Sequence, residues 1–138
     1  MQSLPLELAD KLLAAATALA RNAYGKPVCV SVCDAFGFLI AFSRIDGAPV
    51  RSIQIAQQKA YTCSRMGVST AAFLERLRAE DVPIGFFCDP LLTALPGGAL
   101  LVDVHGRPLG AVGVSGLASA DDQALAEQVA TELLRLAG

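Results

Sequence analysis

The chain has 138 residues, 54% of them hydrophobic and 17% charged, with a formal net charge of −2 at pH 7. That length supports one domain with its own core, and the slight acidity, with Lys and Arg scattered, excludes the basic footprint of a nucleic-acid binder. No apolar run approaches the roughly 18 residues of a membrane span, while so much apolar content with so little charge points to surface buried between subunits.

Ser3 is placed to cap a first helix in which Leu8, Leu12, Ala16, Leu19 and Ala23 recur on one face until Gly25 ends it. Glu7, Asp10 and Lys11 interrupt the apolar pattern and no basic segment precedes it, so this end reads as a helix and not a secretory signal. The cytoplasm is the expected compartment. Val28, Val30 and Val32 then alternate with Cys29, Ser31 and Cys33, the period of a two-faced strand. Asp34-Ala35-Phe36-Gly37 carries turn chemistry, and the returning strand is expected to put Phe38, Ile40 and Phe42 on one face, with Leu39 and Ala41 on the other.

Pro49 can open the next helix, whose buried stripe is Ile53, Ala56, Ala60 and Cys63. Lys59 borders that stripe, so it either snorkels to water along its aliphatic stem or points into a cavity. Ser69 or Thr70 caps a shorter helix with Phe73, Leu74 and Leu77 on its apolar side. Residues 81–96 are irregular: Pro83, Gly85, Pro90 and Pro96 forbid a long helix, yet Phe86, Phe87, Leu91 and Leu92 are too apolar for a solvated linker. A lid, a subunit contact and an irregular core plug all suit such a stretch.

After Gly97-Gly98, residues 99–104 and 108–115 form a second hairpin around His105-Gly106-Arg107. Gly110, Gly113 and Gly116 alternate between its faces, which suggests backbone that something approaches closely. Ser119 then caps a closing helix with Asp121 and Asp122 in its first turn and Leu125, Val129, Leu133 and Leu136 inward. Two hairpins and enough helix to cover them make an α+β domain over residues 1–138 with an antiparallel sheet.

Chemistry is less legible. Cys29, Cys33, Cys63 and Cys88 form no CxxC pair and have no neighbouring histidine, so free thiols are expected and no metal centre. His105, the only histidine, falls at a hairpin tip, which argues against a catalytic or metal role. Asp46 reads equally as an ion-pair partner of Arg44 or a helix-entry residue. Gly116 before a helix start has the form of an anion site, or of a plain loop-to-helix junction.

Taken together, VSVCDAFGFLIAFSRIDGA at 30–48, Ala56 with Lys59-Ala60, Ser69-Thr70, Pro96-Gly97-Gly98, and GRPLGAVGVSG at 106–116 followed by Asp121 or Asp122 resemble the GlcG/HbpS-like family. This is also called the haem-degrading domain family, and it includes the carboxy-terminal domain of PduO. The resemblance implies a profilin-like α+β fold with a five-stranded antiparallel sheet, assembly into homo-oligomers from dimers to octamers, and a shared pocket surface of Arg44, Asp46, Lys59, Gly97, Gly98, Ser115 and Gly116. It also suggests haem or a related tetrapyrrole as ligand. The chain departs from that pattern in having no histidine on its first helix and Ala99-Leu100 where Val-Pro is usual. Iron ligation would then fall to His105, a cysteine or an oxygen donor.

Two readings of the chemistry follow. In one, the protein is an oligomeric binder of a small molecule, with Lys59 pairing with a propionate or other carboxylate and Arg44, Gly97, Gly98, Ser115 and Gly116 around it. In the other, a cofactor-independent enzyme acts by proton transfer, isomerisation or elimination on a small oxygenated metabolite. There Lys59 is the base or electrophile, Asp46 trades protons with it or orients it, and the amides of Gly97, Gly98 and Gly116 hold an oxyanion. A plainer third reading makes the protein an accessory subunit. The first two require Lys59 to face bare amides across a hollow.

Overall fold

The computed structural model describes residues 3–138. Helix α1, Leu6–Leu19, begins after Pro5 and not at Ser3, because Pro5 in extended geometry already fixes the entry to the first turn. A π-helical turn, Ala20–Tyr24, closes it at Gly25, whose φ of 63° suits a residue without Cβ. That turn re-phases the apolar stripe. Leu8, Leu12, Ala16 and Ala20 face inward, while Ala23 is exposed.

Strands β1 (Cys29–Asp34) and β2 (Leu39–Arg44) form the first hairpin, and β3 (Gly98–Val102) and β4 (Pro108–Ser115) the second. They join into one antiparallel sheet of order β2-β1-β4-β3. Among the described residues the sheet therefore has four strands, not five. Only residues 81–96 were left to supply another, and there Pro83, Pro90 and Pro96 remove ladder donors while residues Ile84–Phe87 take a 3-10 turn. Cross-strand partners also shift at Val32/Cys33, where Ile40 is the extra residue. This bulge breaks the expected shared face: Ile40 and Ala41 pack into the main core, while Phe42 packs on the other side with Cys29 and Ala48.

Val28, Val30 and Val32 point to the side covered by α1 and by α4 (Ser119–Thr131) with α5 (Leu133–Ala137), forming the main core with Leu12, Leu125, Val129 and Leu133. Helix α2, Arg51–Met66, lies across β4, β1 and β3 on the opposite side. It comes so close that a Cβ on Gly113 would strike the Ala56 carbonyl and the Ala60 nitrogen. The strand glycines thus serve helix-to-sheet and strand-to-strand approach; at Gly110 the obstacle is the Cys33 carbonyl. Helix α3, Thr70–Glu80, is capped by Ser69, whose hydroxyl accepts from Ala72 N–H at 3.0 Å. It packs Phe73 and Leu77 on Leu92, Ile84 and Phe87, so the irregular stretch is in part a core plug. Because α2 is centred on β4 and β1, edge strand β2 extends beyond it and a trough remains between them.

Candidate functional site

Lys59 and the late glycines do converge, but no hollow separates them. The Lys59 side chain is fully buried, and its ammonium donates to the Val114 carbonyl at 2.8 Å and to Asp122 Oδ2 at 3.1 Å. A Cβ on Gly97 would lie 2.5 Å from that nitrogen, and one on Gly98 would lie 2.7 Å from the Lys59 carbonyl. So Lys59 neither snorkels to water nor opens on a cavity. Burial pushes its pKa down and that of Asp122 up, while each partner's charge pulls the other back.

The amides expected to be bare are occupied. Gly97 N–H donates to Gln123 Oε1 at 2.7 Å and Gly98 N–H to Thr70 Oγ1 at 2.8 Å. Thr70 in turn donates to Gln123, whose amide nitrogen returns a bond to the Gly98 carbonyl. At the start of α4, Asp122 accepts from Leu117 N–H at 3.0 Å with help from the Gly116 backbone. The anion suited to that junction is therefore the chain's own carboxylate. Ser115 is buried against Ser52, with 3.1 Å between hydroxyls.

Asp46 and Arg44 lie elsewhere. The carboxylate that pairs with Lys59 is Asp122, and Asp46 is exposed beside Arg21 and Lys26 at a shallow hollow of about 300 Å³. Arg44 is exposed and reaches the Ala48 carbonyl at 3.4 Å; no Arg44–Asp46 ion pair forms among the described residues. His105 is exposed at the β3–β4 turn, which Asp103 organises by accepting from His105 N–H, Arg107 N–H and the Arg107 guanidinium. All four cysteines are free thiols, and no metal-binding cluster of His, Cys, Asp and Glu occurs among the described residues.

A second, deeper hollow of about 390 Å³ is the α2–β2 trough. Its floor is Ser31 and Cys33 of β1, and its strand side is Phe38 and Leu39, both exposed. Its helix side is a stripe of Gln54, Gln57, Gln58, Tyr61 and Arg65. Leu91 closes one end, tethered by Gln58 Nε2 to its carbonyl at 3.3 Å, and Tyr61 holds the same segment through Asp89 at 2.6 Å. The Ser31 hydroxyl, at 1% residue exposure, has no hydrogen-bond partner among the described residues, which is costly unless something else supplies one. Arg65 donates through Nε to the Phe36 carbonyl and stacks over the Tyr61 ring at 4.8 Å. Burial pushes the Cys33 thiol up to about 11.

None of the expected site residues lines this trough. The signal that would have found it is the spacing 54, 57, 58, 61, 65, which is one helical face made of polar side chains with long apolar stems. Thr70 and Asp122, read from local sequence as a helix cap and a first-turn acid, also acquire these roles, and Gln123 carried no sequence signal.

A family model described as "Haem degrading protein HbpS-like" matches residues 4–131. Protein GlcG of Escherichia coli K12 is 38% identical over 88 residues, covering 64% of this chain; the chain spans only 63% of GlcG. Among solved structures, a double mutant of HbpS from Streptomyces reticuli is 30% identical with a TM-score of 0.84, over 95% of this chain and 87% of that one. The Klebsiella pneumoniae protein ORFY is 27% identical with a TM-score of 0.85, over 98% and 92%. The extent of the family match, together with a shared antiparallel α+β fold, establishes that this chain belongs to the HbpS-like family.

Proposed function

We propose that this protein is a small-molecule-binding member of the HbpS-like family, active as a homo-oligomer, with its ligand seated in the α2–β2 trough. The observation that carries this is the unpartnered, buried hydroxyl of Ser31 on the floor of a hollow of about 390 Å³. That volume lies within the roughly 300–1,000 Å³ usual for ligand sites. The family description favours a haem-related compound. The oligomer is supported by exposed apolar side chains, Phe36, Phe38, Phe86 and Val50 among them, which a lone small domain leaves wet at a cost.

The donors in the trough do not fit iron ligation. The floor and walls hold no histidine. Cys33 is a protonated thiol near neutral pH, and the Tyr61 phenol is held by Asp89 and pushed up in pKa by that bond. His105 is on the β3–β4 turn, outside the trough. The ring and its substituents, not a metal, would have to make the contacts.

The enzyme reading built on Lys59 and Asp46 has no comparable support. Lys59 has no hollow beside it and Asp46 does not pair with it. Titration with haemin tests the binding proposal: a saturable change in the Soret band, lost in a Leu39→Glu variant that charges the trough wall, is the expected result. Absence of saturation would remove haem as ligand, and sedimentation as a single-chain species would remove the oligomer.

A further inference from the structure

We infer that the trough recognises a flat apolar ring through a carboxylate on Arg65 and a polar edge on Ser31, independently of any metal the ring carries. This rests on the trough being the ligand site. It follows from what the trough offers and what it lacks. Arg65 uses Nε on the Phe36 carbonyl and lays its plane on Tyr61, which leaves the terminal nitrogens without a partner among the described residues. No carboxylate lies within ion-pair distance of it among the described residues.

Asp89 feels the Arg65 charge without reaching ion-pair distance, and its Oδ2 accepts from the Tyr61 hydroxyl. A guanidinium fixed on one edge and open on the other is a fork for a planar anion such as a carboxylate. At the floor, Ser31 needs a partner, and its hydroxyl both donates and accepts. Phe38, Leu39 and Leu91, which line the same trough, suit an apolar body. Gln54, whose side chain makes no hydrogen bond among the described residues, lines the same wall, so a second polar edge is accommodated.

The probes are metal-free protoporphyrin IX, its dimethyl ester and haemin, titrated by absorbance and fluorescence quenching. The two free acids should bind within about threefold of each other, and the ester at least about tenfold more weakly, the scale of one charge-assisted bond. Arg65→Met, at an exposed position, should remove the advantage of acid over ester. Ser31→Ala should weaken all three alike. The Soret position of bound haemin should be unchanged by His105→Ala and by Cys33→Ser.

Binding of haemin without binding of protoporphyrin IX would overturn metal independence while leaving the trough as a haem site. Equal binding of acid and ester would overturn the role of Arg65. If neither free acid binds, the trough is not a porphyrin site, and the reading on which this inference rests fails as well.

Discussion

Lys59 and Asp122 leave water together, and their bond must offset two desolvation costs. Val114 O and Leu117 N–H satisfy more of their hydrogen-bonding capacity, so neither charge is left alone. Lys59→Met should therefore destabilise the protein by about 3–5 kcal/mol in chemical denaturation, because it strands a buried carboxylate. Combining it with Asp122→Asn, which keeps an acceptor for Leu117 N–H, should recover most of that loss. If Lys59→Met were as stable as the parent, the ammonium would have to reach water. The sequence showed Lys59 beside an apolar stripe, yet could not show its partner, because 63 residues separate the two. Neither snorkelling nor a cavity was needed once an acid arrived from α4.

At the scale of elements, α2 does two jobs from two faces. Its small residues Ala56, Ala60 and Cys63 let it settle on glycine-bearing β4, and the next face, from Gln54 to Arg65, walls the trough. The segment after α3 is strapped to that second face by Tyr61–Asp89 and Gln58–Leu91. The Tyr61 hydrogen bond lowers the Asp89 pKa from its ordinary 3.8, and the same bond raises that of Tyr61 from 10.0. A lowered carboxylate pKa stabilises above the unfolded value and is lost as pH falls through the folded one; a raised phenol pKa is lost as pH rises through it. The strap should thus hold between about pH 4 and pH 10 and loosen on either side. Amide exchange across residues 84–95 measures it. Asp89→Asn should speed exchange there at neutral pH and flatten the acid-side dependence, and unchanged exchange would show that Leu92 packing and the Gln58–Leu91 bond hold the segment without Asp89.

At the scale of the whole molecule, one sheet separates a large core on the α1–α4 side from small clusters under α2. Cys29, Cys33 and Cys63 lie in the latter, and burial pushes Cys33 to about 11 and Cys63 to about 12. A disulfide-exchange reagent near pH 8 should then label only exposed Cys88 quickly, the other three at the rate of unfolding, and all four in denaturant. Fast labelling of Cys33 alone would mean that the trough floor opens locally.

The chain by itself determined its family, the α+β class, both hairpins, four of the helices and the inward faces of β1, α2 and α4, since each depends on local periodicity, turn chemistry or capping. Tertiary structure alone decided that Lys59 meets Asp122, that Thr70 and Gln123 fill the glycine amides, and that the open hollow lies beside β2. The bulge at Ile40, too, is set by pairing with β1 and leaves no mark in the alternation of apolar residues. Whether a polar group is free or satisfied depends on neighbours brought in from distant sequence, and only packing fixes which of them arrive.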